Sequence, residues 1–197
     1  MEQTINRGLD GVYIDTSGVC FIDGGKGQLV YRGYDINELA DKASFEEVVY
    51  LLWHGALPDS AQLEAFKAAI APHYHVPDAV YDLYRALPQG HSPMHAIRTA
   101  ASLLAPYDED PDGVDEANVH RIGTKLLAQF PTLTAAFERV RRGLEPVAPR
   151  SDLSLAGNFL YTLTGEEPSA AATRVMDVAL VLHAEHGSNA STFVARA

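Results

Sequence analysis

The chain has 197 residues, of which 47% are hydrophobic and 21% charged, a composition typical of a globular protein and unlike a disordered one. Its formal net charge of −11 opposes attraction to nucleic acid or to an anionic membrane surface, so neither is predicted as a partner. The single cysteine, the lack of a signal-like start and the lack of any run of ~18 apolar residues together predict a cytoplasmic protein.

Three short runs near the N-terminus have the β-branched and aromatic residues typical of strands. They lie at 12–14, 19–22 and 28–31, and glycine-containing segments separate them. Cys20 falls in the second run between apolar neighbours, which predicts a half-buried strand position and not an activated thiol. So few short strands cannot enclose a core, so we expect a small antiparallel hairpin or meander packed against helices.

From Ile36 onward the hydrophobic spacing predicts helices. Ser44 with Glu47 forms a capping box that opens the first long one, and Gly55 closes it. Further helices are predicted to begin at Ser60, at Pro77 and at Ser92-Pro93, and the acidic, proline-containing segment 106–117 is predicted to be an exposed loop within one domain. The remaining predicted helices span 119–129, 131–142 with Pro131 as the break, 155–164 and 168–186.

The segment 182–192 (LHAEHGSNAST) is the most informative for chemistry, because it places His183 and His186 beside a helix stop. Gly187 is a natural residue to follow a helix, so His186 is predicted in the last turn, where the helix dipole favours an imidazolium by roughly 0.3–1 kcal/mol. Such a cation is suited to an anionic ligand. His186 also continues an apolar stripe, formed by Val175, Val178, Ala179 and Leu182.

Other interpretations of these histidines remain open on spacing alone. A histidine on an apolar face is more often a core residue hydrogen-bonded to a carbonyl, and this interpretation is favoured by spacing. A zinc site is weaker, because His183 and His186 supply two ligands and a tetrahedral site needs at least a third from the protein. The four-residue spacing of His91 and His95 suits a metal on one helix face, but Ser92-Pro93 places His91 outside the predicted helix.

Seven segments in order resemble the citrate synthase family and together cover nearly the whole chain. The last of them, with Glu185 where the family more often shows Asp, is the most specific. The seven are 7–12 (RGLDGV), 31–36 (YRGYDI), 44–58 (SFEEVVYLLWHGALP), 93–102 (PMHAIRTAAS), 130–132 (FPT), 156–163 (AGNFLYTL) and 183–192 (HAEHGSNAST).

The resemblance implies condensation of oxaloacetate with acetyl-CoA to citrate and CoA, the reaction that feeds the tricarboxylic acid cycle, in a mostly α fold that forms homodimers or larger homo-oligomers. It implies no metal and no covalently bound cofactor, with acetyl-CoA as cosubstrate. It assigns His186 to hydrogen bonding with oxaloacetate, His183 to positioning its neighbour, and Asn189 to the tight backbone after the helix. It assigns Arg7 to the CoA phosphates of the neighbouring subunit, which suits a guanidinium.

The aspartate base, the enol-stabilising histidine and the carbonyl-polarising histidine of the family have no counterpart in this chain, so we expect no catalytic residue in it. The chain also stops inside the predicted opening of another helix. We therefore expect residues 1–197 to form a single incomplete domain, the N-terminal part of the large domain, inactive alone. Alternatives are a 2-methylcitrate synthase that uses propionyl-CoA, a catalytically inactive helical binding or dimerisation module, and a metal-dependent helical protein.

Overall fold

The computed structural model describes residues 16–88 and 90–196, and its strands form one small antiparallel sheet. The strands are β1 (Cys20–Asp23), β2 (Gln28–Tyr31) and β3 (Tyr34–Asp35), in the order β1-β2-β3, with Cys20 opposite Tyr31. The predicted run at 12–14 lies outside the described residues. The two-residue β3 was not predicted; it follows a tight turn in which Arg32 and Gly33 both have positive φ, 48° and 94°.

Helices make up most of the described chain, as predicted. They are α1 (Ile36–Lys42), α2 (Phe45–His54), α3 (Ser60–Ile70), α4 (Asp78–Ala86), α5 (Pro93–Leu103), α6 (Glu116–Arg141), α7 (Leu155–Thr164), α8 (Ala170–Leu182) and α9 (Ala190–Arg196), with short 3-10 turns at Ala71–His73 and Ala105–Tyr107. Within the described ranges, no helix has both the length and the apolar character that a membrane crossing needs.

Local capping explains where several helices begin and end. The capping box of Ser44 and Glu47 is present at the start of α2, and Gly55 ends that helix in the left-handed conformation at φ 84°. For α3 the capping residue is Asp59, not Ser60, because the Asp59 carboxylate accepts from the Gln62 N–H at 2.8 Å. Gly165 closes α7 in the left-handed conformation, as the sequence predicts.

The predicted break at Pro131 is wrong, because α6 runs through this proline without interruption. A proline inside a helix costs about 3 kcal/mol through a lost hydrogen bond and a steric clash. Burial of the residues that follow Pro131 offsets this cost. Thr132 and Leu133 are both buried, and the Thr132 hydroxyl donates to the carbonyl of Tyr74 at 2.7 Å.

The C-terminal end of α8 lies in a core formed by the hairpin, α1 and α2. Val181 is fully buried against a cluster that includes Tyr31, Leu39 and Val48. Upstream, the Arg174 guanidinium donates to three carbonyl oxygens at the end of α1. This packing fixes α8 relative to the sheet and so determines where the segment that follows it begins.

The predicted extension of α8 to His186 is wrong, because the helix ends at Leu182. After Leu182 the hydrogen bonds tighten to the 3-10 type: the His183 N–H donates to the Leu180 carbonyl at 3.2 Å and the Ala184 N–H to the Val181 carbonyl at 3.3 Å. The hydroxyl of Tyr31 then bonds to the N–H of Glu185 and also to the carbonyl of Val181. His186 is therefore outside the helix and not in its last turn, where the sequence predicts it. We call residues 183–189 the histidine loop.

Candidate substrate-binding site

The histidine loop begins at His183, which is exposed and is the first residue beyond α8. Its Nδ1 lies 2.7 Å from the carbonyl oxygen of Ala179. Since a carbonyl can only accept, Nδ1 carries a proton and donates in this contact. This contact holds the ring against the last turn of α8, and the supporting role toward His186 stays a prediction.

His186 is exposed, so the core-histidine interpretation favoured by spacing does not hold in this structure. Gly187 follows it with φ 80°, a conformation that favours glycine, and the chain turns there. Asn189 then caps the start of α9, where its Oδ1 accepts from the N–H of Thr192 at 2.7 Å. The loop therefore presents the His186 imidazole to solvent between two anchored helix ends.

Glu185 and Tyr31 anchor the residues on either side of His186. The Glu185 carboxylate accepts from the N–H of Gly187 at 2.5 Å. The Glu185 main chain bonds to the Tyr31 hydroxyl at both its N–H, 3.2 Å, and its carbonyl, 2.9 Å. The fully buried Tyr31 lies 154 positions earlier in the chain, so no local pattern indicates this contact, although Tyr31 belongs to one of the seven family-like segments.

Cys20 completes this arrangement from β1. It is half-buried in a strand, as predicted, and its Sγ lies 3.5 Å from Oε1 of Glu185. Burial is the main cause that raises the pKa of the thiol above its ordinary 9.0, and the hydrogen bond to Glu185 and its negative charge add to it. Cys20 is therefore a protonated donor at neutral pH, in agreement with the prediction that it is not activated.

Arg32 joins the same hairpin to α2. Its Nε and Nη2 donate to the carbonyl oxygen of Leu52 at 3.2 and 2.8 Å, in the last turn of the helix, where a cation is favoured. Adjacent residues of the hairpin thus hold two helices: Tyr31 contacts the end of α8 and Arg32 the end of α2. Through Tyr31, the histidine loop is therefore bonded to a hairpin that also contacts α2.

The other candidate residues lie away from the histidine loop or outside the described residues. Arg7 lies outside the described residues, so its assignment to CoA stays a prediction. His91 precedes α5, as predicted, with Nδ1 2.5 Å from the Pro88 carbonyl oxygen and its ring 5.2 Å from that of Phe137. In the part of the chain that the structure describes, no three histidine, cysteine, aspartate or glutamate residues are grouped to hold a metal ion.

Comparison with known proteins gives one family. Residues 8–197 match the family model described as citrate synthase, C-terminal domain. The chain is 48% identical to a citrate synthase of Haloferax volcanii, covering 99% of this chain and 52% of the relative, and 41% identical to a 2-methylcitrate synthase of Mycobacterium tuberculosis, covering 98% and 48%. The crystal structure of citrate synthase from Pyrobaculum aerophilum superposes with a TM-score of 0.88 at 39% identity, covering 97% of this chain and 50% of that one.

The match therefore extends over nearly all of this chain, while the chain spans about half the length of the relatives it matches. Sequence and fold lead to the same family, since the solved relative shares the fold of this chain and is 39% identical in sequence. The chain belongs to the citrate synthase family.

Proposed function

We propose that this chain supplies the oxaloacetate-binding segment of an enzyme that condenses oxaloacetate with acetyl-CoA to give citrate and free CoA. The observation that carries the proposal is His186: it is exposed, lies in the family-like segment 183–192, and is held between Glu185 and Gly187, which a hydrogen bond joins. Membership of the family supports the reaction class, and the two activities named among the relatives define the alternatives.

The proposed contact is a hydrogen bond from the His186 imidazole to oxaloacetate, charge-assisted when the ring is protonated and the ligand is an anion. His183 supports the loop from the α8 side, through its bond to Ala179, and Asn189 does so from the α9 side as the cap of that helix. Arg7 is proposed to bind CoA phosphates. No metal is part of this proposal, and the residues that perform the chemistry are expected outside the 197 residues.

The proposed enzyme is a homodimer or a larger homo-oligomer, and an apolar groove between α6 and α7 supports this part. The groove has a volume of about 490 Å³. Phe130, 40% exposed, is one of the residues that line it. Exposed apolar surface of this kind is typical of protein interfaces.

Calorimetry with oxaloacetate tests the binding role. We expect the unsubstituted chain to bind, His186→Ala to lose binding, and His95→Ala, which removes an exposed histidine on α5, to bind as the unsubstituted chain does. Binding that persists in His186→Ala would contradict the assignment. No binding by the unsubstituted chain or by His186→Ala would contradict oxaloacetate binding by this chain and favour a fragment without a retained substrate site.

A thiol-release assay tests whether the chain alone catalyses the condensation. With oxaloacetate and acetyl-CoA, the chain alone is expected to release no CoA, because the residues that the family uses for catalysis have no counterpart in it. Turnover at an ordinary enzymatic rate would contradict this expectation. The second candidate, condensation with propionyl-CoA, is favoured by the 41% identical 2-methylcitrate synthase, and comparing both acyl-CoAs on the full-length protein decides between them.

A further inference from the structure

The hydroxyl of Tyr31 lies at the point where α8 ends. In a continuous helix the Glu185 N–H would donate directly to the Val181 carbonyl, but that carbonyl accepts from the Ala184 N–H at 3.3 Å in a tighter 3-10 bond. Here the Glu185 N–H donates to Tyr31 Oη at 3.2 Å, and Oη lies 3.3 Å from the Val181 oxygen and 2.9 Å from the Glu185 oxygen. The single hydroxyl proton serves these two carbonyls. A side chain inserted in this way interrupts a helix.

The local sequence favours a longer helix than the one observed. The apolar stripe of α8 continues to His186, and Gly187 has the left-handed conformation that commonly follows a helix end. The helix nevertheless stops at Leu182, four residues earlier than the pattern predicts. The difference between expectation and structure coincides with the contact from Tyr31, whose ring is fully buried.

Ending the helix at Leu182 sets the direction of His186. One more turn would continue the α8 axis, with His186 on the same stripe as Leu182. Instead the chain leaves the axis, and the Glu185 carboxylate bonds to the Gly187 N–H on the other side of His186. The position of the imidazole thus depends on a side chain from β2.

We propose that Tyr31 is a positioning residue for oxaloacetate: its hydroxyl ends α8 and so places His186 where the ligand binds. This rests on the proposed function of His186. Without the hydroxyl, the Glu185 N–H loses its partner. It regains one from the Val181 carbonyl if the 3-10 bonds of His183 and Ala184 also return to helical spacing, and α8 then extends by one turn to His186. Tyr31 acts only through the loop and has no contact with substrate in this scheme.

The test compares Tyr31→Phe with Tyr84→Phe. Both remove one buried hydroxyl and keep the ring, but the Tyr84 hydroxyl has no hydrogen-bond partner among the described residues and lies in a different core cluster. Carbon chemical shifts of residues 181–187 report the helix end. We expect helical shifts to stop at Leu182 in the unsubstituted chain and in Tyr84→Phe, and to reach His186 in Tyr31→Phe. Unchanged shifts in Tyr31→Phe would overturn the role of Tyr31.

Calorimetry with oxaloacetate on the same proteins tests whether Tyr31 affects the affinity for the ligand. Loss of one hydrogen-bonded position should weaken binding by about five- to tenfold in Tyr31→Phe and leave Tyr84→Phe unchanged. Equal affinities of Tyr31→Phe and the unsubstituted chain would overturn the positioning role. Absence of binding by the unsubstituted chain is a distinct result: it rejects the proposed function, and the positioning role with it, while the shifts still decide whether Tyr31 ends α8.

One further measurement needs no variant, so it remains informative if Tyr31→Phe does not fold. In the unsubstituted chain, the Tyr31 ring protons should show a nuclear Overhauser effect to the Glu185 amide proton, because Oη and this nitrogen are 3.2 Å apart. Absence of that effect in a folded sample would overturn the contact itself.

Discussion

At the scale of single residues, Cys20 shows how burial and a neighbouring carboxylate raise the pKa of a thiol. Its Sγ lies 3.5 Å from the Glu185 carboxylate, and burial together with that negative charge raises the thiol pKa above 9.0. Only the thiolate is nucleophilic, so the fraction of reactive Cys20 at neutral pH is smaller than in an exposed cysteine. The chain has one cysteine, and a thiol reagent therefore reports on this position alone.

We expect the rate of alkylation of Cys20 by iodoacetamide to rise with pH and to reach its midpoint above 9.0. Glu185→Gln removes the charge but not the burial, so it should move the midpoint down only part of the way. Glutathione, measured in parallel, gives the behaviour of an exposed thiol. A midpoint for the unsubstituted chain at or below that of glutathione would show that Glu185 and burial do not protect Cys20.

At this scale the sequence predicts which segment forms the candidate site, but not which distant side chains contact it. The segment 183–192 was identified as the candidate site from its histidines and from its resemblance to the family. The contacts of Tyr31 and Cys20 with Glu185 could not be predicted, because they join residues 154 and 165 positions apart. The exposure of His186 likewise depends on where α8 ends, and the residue just beyond that end is bonded to a distant hydroxyl.

At the scale of elements, the buried Glu46 joins two helix N-termini. It lies in the first turn of α2 and is 2% exposed, and its Oε1 accepts from the Leu155 N–H at the start of α7, at 2.8 Å. Both helix dipoles favour the negative charge there. Burial nevertheless dominates and raises the pKa of Glu46 above 4.5, while the bond from Leu155 opposes this shift.

The raised pKa gives a prediction for stability against pH. A carboxyl whose pKa is higher in the folded than in the unfolded state stabilises the fold most below the unfolded value, and this contribution is lost as pH rises through the folded value. Glu46→Gln keeps an acceptor for Leu155 and does not titrate. Its free energy of unfolding, relative to the unsubstituted chain, should therefore increase between pH 4 and pH 8 in urea unfolding.

Two further variants serve as controls for this measurement. Glu46→Leu leaves the buried Leu155 N–H without an acceptor and should lose about 1–3 kcal/mol across the pH range. Glu64→Gln, on the exposed side of α3, should change little. A relative stability of Glu46→Gln that falls with pH would mean that the pKa of Glu46 is lowered in the folded state, the opposite of the shift that burial causes.

Elements were predicted well wherever their ends are set by adjacent residues. The capping box of Ser44 and the closing Gly165 depend on neighbours within one turn, so the sequence reveals them. Pro131 and the end of α8 were predicted wrongly for opposite reasons. Tertiary burial keeps α6 helical where local preference breaks it. At the end of α8, where local preference continues the helix, the bonds tighten to the 3-10 type and a tertiary hydroxyl accepts from the Glu185 N–H.

At the scale of the whole molecule, an apolar surface and a large negative charge act against each other. The groove between α6 and α7 is continuous with a second apolar hollow, since Leu126 and Phe130 belong to both. Contiguous apolar surface favours association with a second copy. The net charge of −11 opposes that association, and added salt screens the repulsion.

We therefore expect the chain to self-associate in light scattering, and to do so more strongly as salt is added. Phe130→Glu places a charge in the lining of the groove and should weaken association at least about tenfold, since burying one phenylalanine contributes about 1.5–3 kcal/mol. Val114→Glu, at a 90% exposed position outside the groove, adds the same charge and should leave association nearly unchanged. If the unsubstituted chain stays monomeric at high concentration and high salt, or if both variants associate equally, this groove is not the contact between copies.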